Sequence, residues 1–168
     1  MRIIAGKYKG LKLHSLEGSD ITRPSKDNLK EALFSSLGNY LDGSFLDLFG
    51  GSGAVGLEAL SRGAKEVVIN DQNAAAFKII KDNASKLDEE ATIMNLDYVH
   101  CLKALKGYHF DHIFLDPPYS FNDYDVLFDT LYQNDLLKDE GIIIVESKKE
   151  LVLKEEYAIY RLYKMKRY

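Results

Sequence analysis

The sequence predicts an α/β fold, a mostly parallel sheet with helices on both faces and a small N-terminal β-hairpin extension. Three observations predict it. From Ser44 onward, short unbroken apolar runs alternate with amphipathic stretches, the pattern of strands covered on both sides. A glycine-rich turn follows the first of those runs, and acidic residues close three of them. Hydrophobic content of 46% and charged content of 29% over 168 residues suit one globular domain with a sizeable core.

The elements follow in order. Arg2–Gly6 and Leu11–Leu13, with Gly6 and Gly10 around Lys7-Tyr8-Lys9, predict a small hairpin. A polar stretch leads to Arg23-Pro24. Leu29, Ala32, Leu33, Ser36, Leu37, Tyr40 and Leu41 then recur at helical spacing, with Pro24 at the start and Gly43 past the end. This helix is expected to lie across the first strand of the main sheet. Residues 1–24 are accordingly assigned to the hairpin extension and 25–168 to the main domain.

Phe45–Phe49 reads as the first strand and Ala54–Arg62 as a helix ended by Gly63. Val67–Asn70 is the second strand, Ala74–Leu87 the next helix and Ala91–Met94 a short third strand. A helix over Tyr98–Leu105 precedes the strand His109–Leu115. Tyr124–Asn134 is a helix, Gly141–Glu146 a strand rich in Ile and Val, and Tyr157–Tyr163 a last strand.

The segment Phe45–Gly56 is therefore a strand, a glycine turn and a helix start. It holds a G-x-G-x-x-G at Gly51, Gly53 and Gly56, with Phe49, Gly50 and Ser52 in the same turn. Glycine lets the chain turn tightly and lets a ligand approach backbone N–H groups at a helix N-terminus. Asp71, eighteen residues past Gly53, stands where a carboxylate accepts from ribose hydroxyls. Both a nicotinamide dinucleotide and S-adenosylmethionine fit such a frame. Asp47, four residues before Gly51, is an awkward neighbour for a diphosphate and a natural one for the ammonium of a methionine moiety. Asp97, after the third strand, could meet an adenine amino group. The ordered acids favour the sulfonium cofactor.

Asp116-Pro117-Pro118-Tyr119 directly follows a strand. Two prolines remove two backbone donors and stiffen the loop. A carboxylate, a stiff carbonyl and an aromatic ring together suit a planar heterocycle bearing an exocyclic amine.

Net charge is −4, yet it is unevenly spread. Residues 1–30 carry seven basic side chains against three acids, and residues 161–168 carry four against none. Arg2, Lys7, Arg23, Lys26 and Lys30 make the first group a candidate phosphate-binding footprint. Cys101 is the only cysteine, too little for a disulfide or a thiolate metal site, and His14, His100, His109 and His112 lack metal-like spacing. No metal, no membrane span and a cytoplasmic location are expected.

The stretch Leu46–Ala64, followed by Asp71, Asp97 and Asp116–Tyr119, resembles the RsmD-type methyltransferases, as do Met1–Gly6 and Thr22–Phe34. The resemblance implies a Rossmann-like S-adenosylmethionine-dependent methyltransferase that modifies the N2 amine of one guanine in bacterial small-subunit (16S) ribosomal RNA. The glycine and tetrapeptide motifs are common to many amino-methyltransferases, and the first thirty-four residues make the match specific. By this resemblance Asp47, Phe49, the turn Gly50, Gly51, Ser52 and Gly53, Asp71 and Asp97 hold the cofactor. Asp116, Pro117, Pro118 and Tyr119 hold the target base, with ribosomal RNA or an assembling subunit as partner and a monomer as the acting species. Gly50 stands where the family commonly has Ala, a harmless change. Asp71 replaces the more usual Glu, and Lys30 an Arg. The family pattern continues past Tyr168 into a glycine turn and a final strand, so either the chain is shortened here or its terminal hairpin is incomplete. The alternatives are an amino-methyltransferase acting on another base in DNA or RNA, a nicotinamide oxidoreductase and a catalytically silent RNA-binding relative.

Overall fold

A computed structural model describes residues 1–16, 23–147 and 153–165, with backbone only for 23–26. The chain forms α1 (Arg23–Leu37), β1 (Ser44–Asp47), α2 (Ala54–Ser61), β2 (Glu66–Asn70), α3 (Ala74–Ala84), β3 (Thr92–Met94) and α4 (Tyr98–Ala104). It continues with β4 (Phe110–Leu115), α5 (Tyr124–Gln133), β5 (Leu137–Val145), β6 (Glu156–Tyr157) and β7 (Tyr160–Arg161). Five strands pair in parallel in the order β3-β2-β1-β4-β5. The order reverses between β1 and β4, so the carboxyl ends of these two strands border the crevice where such sheets bind ligands.

The pleat sorts the apolar runs onto two cores. Phe45, Val67, Ile69 and Phe114 face one side with Phe34 of α1, Leu57 of α2 and Ile80 of α3. Leu46, Leu48, Val68, Ile113 and Leu115 face the other, with Leu102 of α4 and Leu127 and Leu131 of α5. Strands buried on both faces need apolar residues at every position, which is why these runs do not alternate. Helix α1 crosses β1 as expected, with Phe34 stacked 6.2 Å from Phe45.

The N-terminal hairpin forms around one antiparallel bridge, Arg2 to Lys12, with backbone hydrogen bonds from Ile3 to Leu11, Gly10 to Ile3 and Leu13 to Met1, and with Gly6 and Gly10 at φ 84° and 90°. Its apolar residues join the main body, Ile3 and Leu13 being core residues. A Cβ at Gly6 would stand 1.9 Å from the Ser61 carbonyl, so the arm lies directly on the end of α2.

The expected last strand at 157–163 does not join the sheet. Ala158 at φ 52° turns the chain, and β6 and β7 pair antiparallel as a separate two-stranded ladder. Its residues Tyr157 and Tyr160 pack on Phe128 of α5, at 4.5 and 6.0 Å between ring centres.

Candidate active site

The glycine turn is built from both ends. Gly51 and Gly53 adopt φ 57° and 77°, the left-handed region that side chains disfavour. The Gly53 N–H closes the turn on the Gly50 carbonyl at 2.7 Å, and Gly53 caps α2. At Gly56 a Cβ would come 2.5 Å from Ile69 Cγ1, so helix and strand touch there as only glycine allows. Gly50 is equally tight: a Cβ would stand 2.5 Å from Ile69 Cγ2. Ile69 would have to move to admit an alanine at 50.

Asp47 lies beneath the turn, 1% exposed. Its Oδ2 accepts from the Gly56 N–H at 2.9 Å, while Oδ1 has no hydrogen-bond partner. Burial, with Asp116 and Asp71 adding repulsion, raises its pKa to about 7. An orphaned buried acid oxygen keeps an unused capacity to accept a hydrogen bond. Asp71 Oδ2 accepts from Gly51 N–H and its Oδ1 from Asn73 N–H, both at 2.8 Å. Asp97 caps α4 through Oδ1, and its Oδ2 meets His100 Nδ1 at 2.5 Å. Those contacts hold the Asp97 carboxyl below its ordinary range.

Asn70 is a polar residue that the sequence reading passed over as a strand end. Its buried amide donates to the carbonyls of Leu48 and Leu96 and accepts from the Leu96 N–H. Its own carbonyl accepts from Gly50 at 2.7 Å. One side chain thus ties together the ends of β1 and β2 and the loop after β3. Asn83 does the same for the turn's far side, donating to the carbonyls of Ser52 and His14. A polar residue closing an otherwise apolar run was the available signal for Asn70, whereas Asn83, beside Asp82 near the end of α3, carried none.

These ends enclose a cleft of about 340 Å³ whose walls include Phe49, Gly51, Asp71, Tyr98, Asp116 and Pro118. Five segments far apart in sequence meet there. Asp47 lies below this wall, and Asp97 flanks it between the lining residues Leu96 and Tyr98. Pro117 is buried and Tyr119 is 66% exposed. The Pro118 carbonyl is taken by the Phe121 N–H at 2.8 Å, so of the two proline carbonyls only that of Pro117 accepts from no described residue.

The basic residues divide. Arg2 is exposed beside Asp27 at 3.7 Å, and Lys7 is exposed, paired with Glu89 at 2.6 Å. The side chains of Arg23 and Lys26 lie outside the described residues. Lys30 does not join this footprint. It is buried, donates to the Arg2 carbonyl at 2.5 Å and pairs with Glu58 at 3.3 Å. Glu58, fully buried, also takes Arg62 Nε at 2.9 Å and the N–H groups of Ile4 and Ala5. The Lys30 ammonium is thus an anchor of the N-terminal arm, and desolvation lowers its pKa. Among the described residues no cluster of His, Cys, Asp or Glu could hold a metal ion.

The glycine turn and the orphaned Asp47 oxygen fit a nucleoside with a cationic amino-acid tail. Fold and site together define a Rossmann-like, S-adenosylmethionine-dependent methyltransferase. The chain belongs to the family described as "Conserved hypothetical protein 95", whose model matches residues 1–168. A Haemophilus influenzae protein named Ribosomal RNA small subunit methyltransferase D is 37% identical over 168 residues, covering 96% of this chain and 86% of that one. The Escherichia coli K12 protein of the same name is 37% identical, covering 89% and 76%. A solved structure of a hypothetical protein from Thermus thermophilus superposes with TM-score 0.77 at 31% identity, covering 95% and 94%.

Proposed function

We propose that this chain methylates the exocyclic N2 amine of a guanine in small-subunit (16S) ribosomal RNA, in the cytoplasm and as a monomer. The observation that supports it most is Asp116-Pro117-Pro118-Tyr119 at the mouth of the cofactor cleft, with Asp116 and Pro118 in its wall. The names of the relatives supply the RNA. A base in a helix must leave its stack to reach this cleft.

When bound, S-adenosylmethionine supplies a methyl group activated on a sulfonium. Asp71 accepts from the ribose hydroxyls while holding the Gly51 N–H, and Asp47 receives the ammonium. Asp97 meets the adenine amine. Asp116 and the Pro117 carbonyl accept the two hydrogens of the target amine, whose lone pair is otherwise delocalised into the ring. Held so, the nitrogen turns its lone pair into the cleft, and alignment supplies most of the acceleration. Tyr119, largely exposed, offers a face for the extruded base. Asp116 orients and need not be a strong base, because the amine becomes acidic only once methylated.

The deciding experiment treats small subunits from cells lacking the gene with the purified protein and labelled methyl donor, then maps the label. Label on one guanine as N2-methylguanine is expected; label on an adenine or cytosine would replace the guanine assignment. The exposed cations make a second expectation. Substrate binding should weaken steeply with salt, and Lys7→Ala should lower the log–log slope by about one. A slope unchanged by Lys7→Ala removes it from the footprint.

Asp47 gives a pH expectation. Its folded pKa of about 7 lies above the ordinary 3.8, so its proton favours the folded state at low pH. That contribution is lost as pH rises from about 4 to about 7. The ligand-free wild type should therefore lose melting temperature from pH 5.5 to 7.5 relative to Asp47→Asn. The ammonium needs the ionised carboxylate, so cofactor affinity should fall about tenfold per pH unit below 7. Calorimetry across that range checks both, and an affinity flat with pH would separate Asp47 from the ammonium.

A further inference from the structure

Phe121 stands outside the tetrapeptide and outside the wall of the cleft, yet it touches both. Its N–H closes a turn on the Pro118 carbonyl at 2.8 Å, with Tyr119 and Ser120 in the bend. Its ring meets Phe49 at 5.7 Å and 68°, Tyr98 at 5.4 Å and 78°, and Tyr124 at 5.0 Å and 88°. These are edge-on contacts, one of the arrangements that the ring quadrupoles favour. Phe49 and Tyr98 line the cleft, one from the end of β1 and one from the start of α4. A nucleoside seated between Phe49, Leu96 and Tyr98 fixes the two rings that hold Phe121. Phe121 in turn fixes the turn that carries Tyr119 and follows Asp116.

We infer that Phe121 is a positioning residue that ties the Asp116–Tyr119 loop to the walls of the cofactor cleft, so that a filled cleft holds the base-binding loop more firmly in register. The inference rests on the function proposed above for that loop, but its first readout needs no RNA.

Amide exchange over residues 119–123 is compared with and without S-adenosylhomocysteine, in wild type, Phe121→Ala, Phe121→Leu and Phe121→Tyr. Ligand should slow exchange there in wild type and Phe121→Tyr, and not in the other two. In methyl transfer, Phe121→Ala and Phe121→Leu should lower kcat about 10- to 100-fold, with cofactor affinity within about threefold of wild type. Phe121→Leu keeps apolar bulk without the ring edges, so it carries the test should the alanine variant fail to fold. Phe121→Tyr should recover most of the rate. The inference is overturned if ligand leaves wild-type exchange unchanged, if cofactor affinity falls in step with kcat, or if tyrosine does no better than alanine. Absence of methyl transfer to RNA by the wild type would overturn the substrate assignment alone, and the exchange comparison would still decide Phe121.

Discussion

Asp116→Ala should lower methyl transfer by about 100- to 1000-fold while cofactor affinity stays within about threefold of wild type. The carboxylate is one of two acceptors proposed for the target amine, and it is exposed at the end of β4, where truncation leaves no cavity. Folding should be little affected. The cofactor side of the cleft should even gain slightly, because Asp116 is one of the charges that push the buried Asp47 towards its neutral form. Asp116→Asn keeps one acceptor oxygen in place and should fall between alanine and wild type. Single-turnover rates with saturating donor, set beside calorimetric affinities, separate the two effects. Equal losses in rate and cofactor affinity would move Asp116 out of the base site and into the cofactor site.

Glu58→Gln should cost about 3–5 kcal/mol of folding stability, a large share of the total for a domain of this size. Glu58 is the single counter-charge within reach of both Lys30 and Arg62, at 3.3 and 2.9 Å. All three are buried, and its two oxygens also receive the Ile4 and Ala5 N–H groups. Glutamine would leave Arg62 with no counter-charge among the described residues and Lys30 with only Asp27, 4.0 Å away, and would turn one acceptor into a donor facing a donor. Lys30→Met in that background should cost far less than in wild type, because it removes one of the stranded charges. Urea unfolding of the four proteins of this cycle gives the coupling. Additive losses would mean that Glu58 and Lys30 do not depend on each other. Because Ile4 and Ala5 hang from this carboxylate, Glu58→Gln should also loosen the arm bearing Arg2 and Lys7.

The sheet, its helices and part of the cleft lining were legible in the chain because they are written in short-range pattern. Phe45–Phe49 and Gly51–Gly56 announce a strand and a ligand turn within a dozen residues, and Asp116–Tyr119 follows its strand directly. The element ends moved by a few residues, as with α3, which stops at Ala84 before the expected Leu87. Lys30 was misplaced for a physical reason. A lysine in an amphipathic helix near other cations looks solvent-facing, and only the approach of α2 shows that Glu58 awaits it. Glu58 carried a weak signal, an acid four residues before Arg62 in a run otherwise fit for burial. The final strand failed because two tyrosine-rich segments with a turn at Ala158 prefer each other and the surface of α5.

By itself the sequence determined the class of fold, the family, and several residues that line the cleft, since periodicity, glycine placement and a stiff proline loop act through local sterics and backbone chemistry. The tertiary structure alone decided which charges are buried together, which amides knot the strand ends, and that Phe121 bridges cleft and loop. Those depend on the meeting of segments distant along the chain, and no local pattern encodes a partner that arrives from elsewhere.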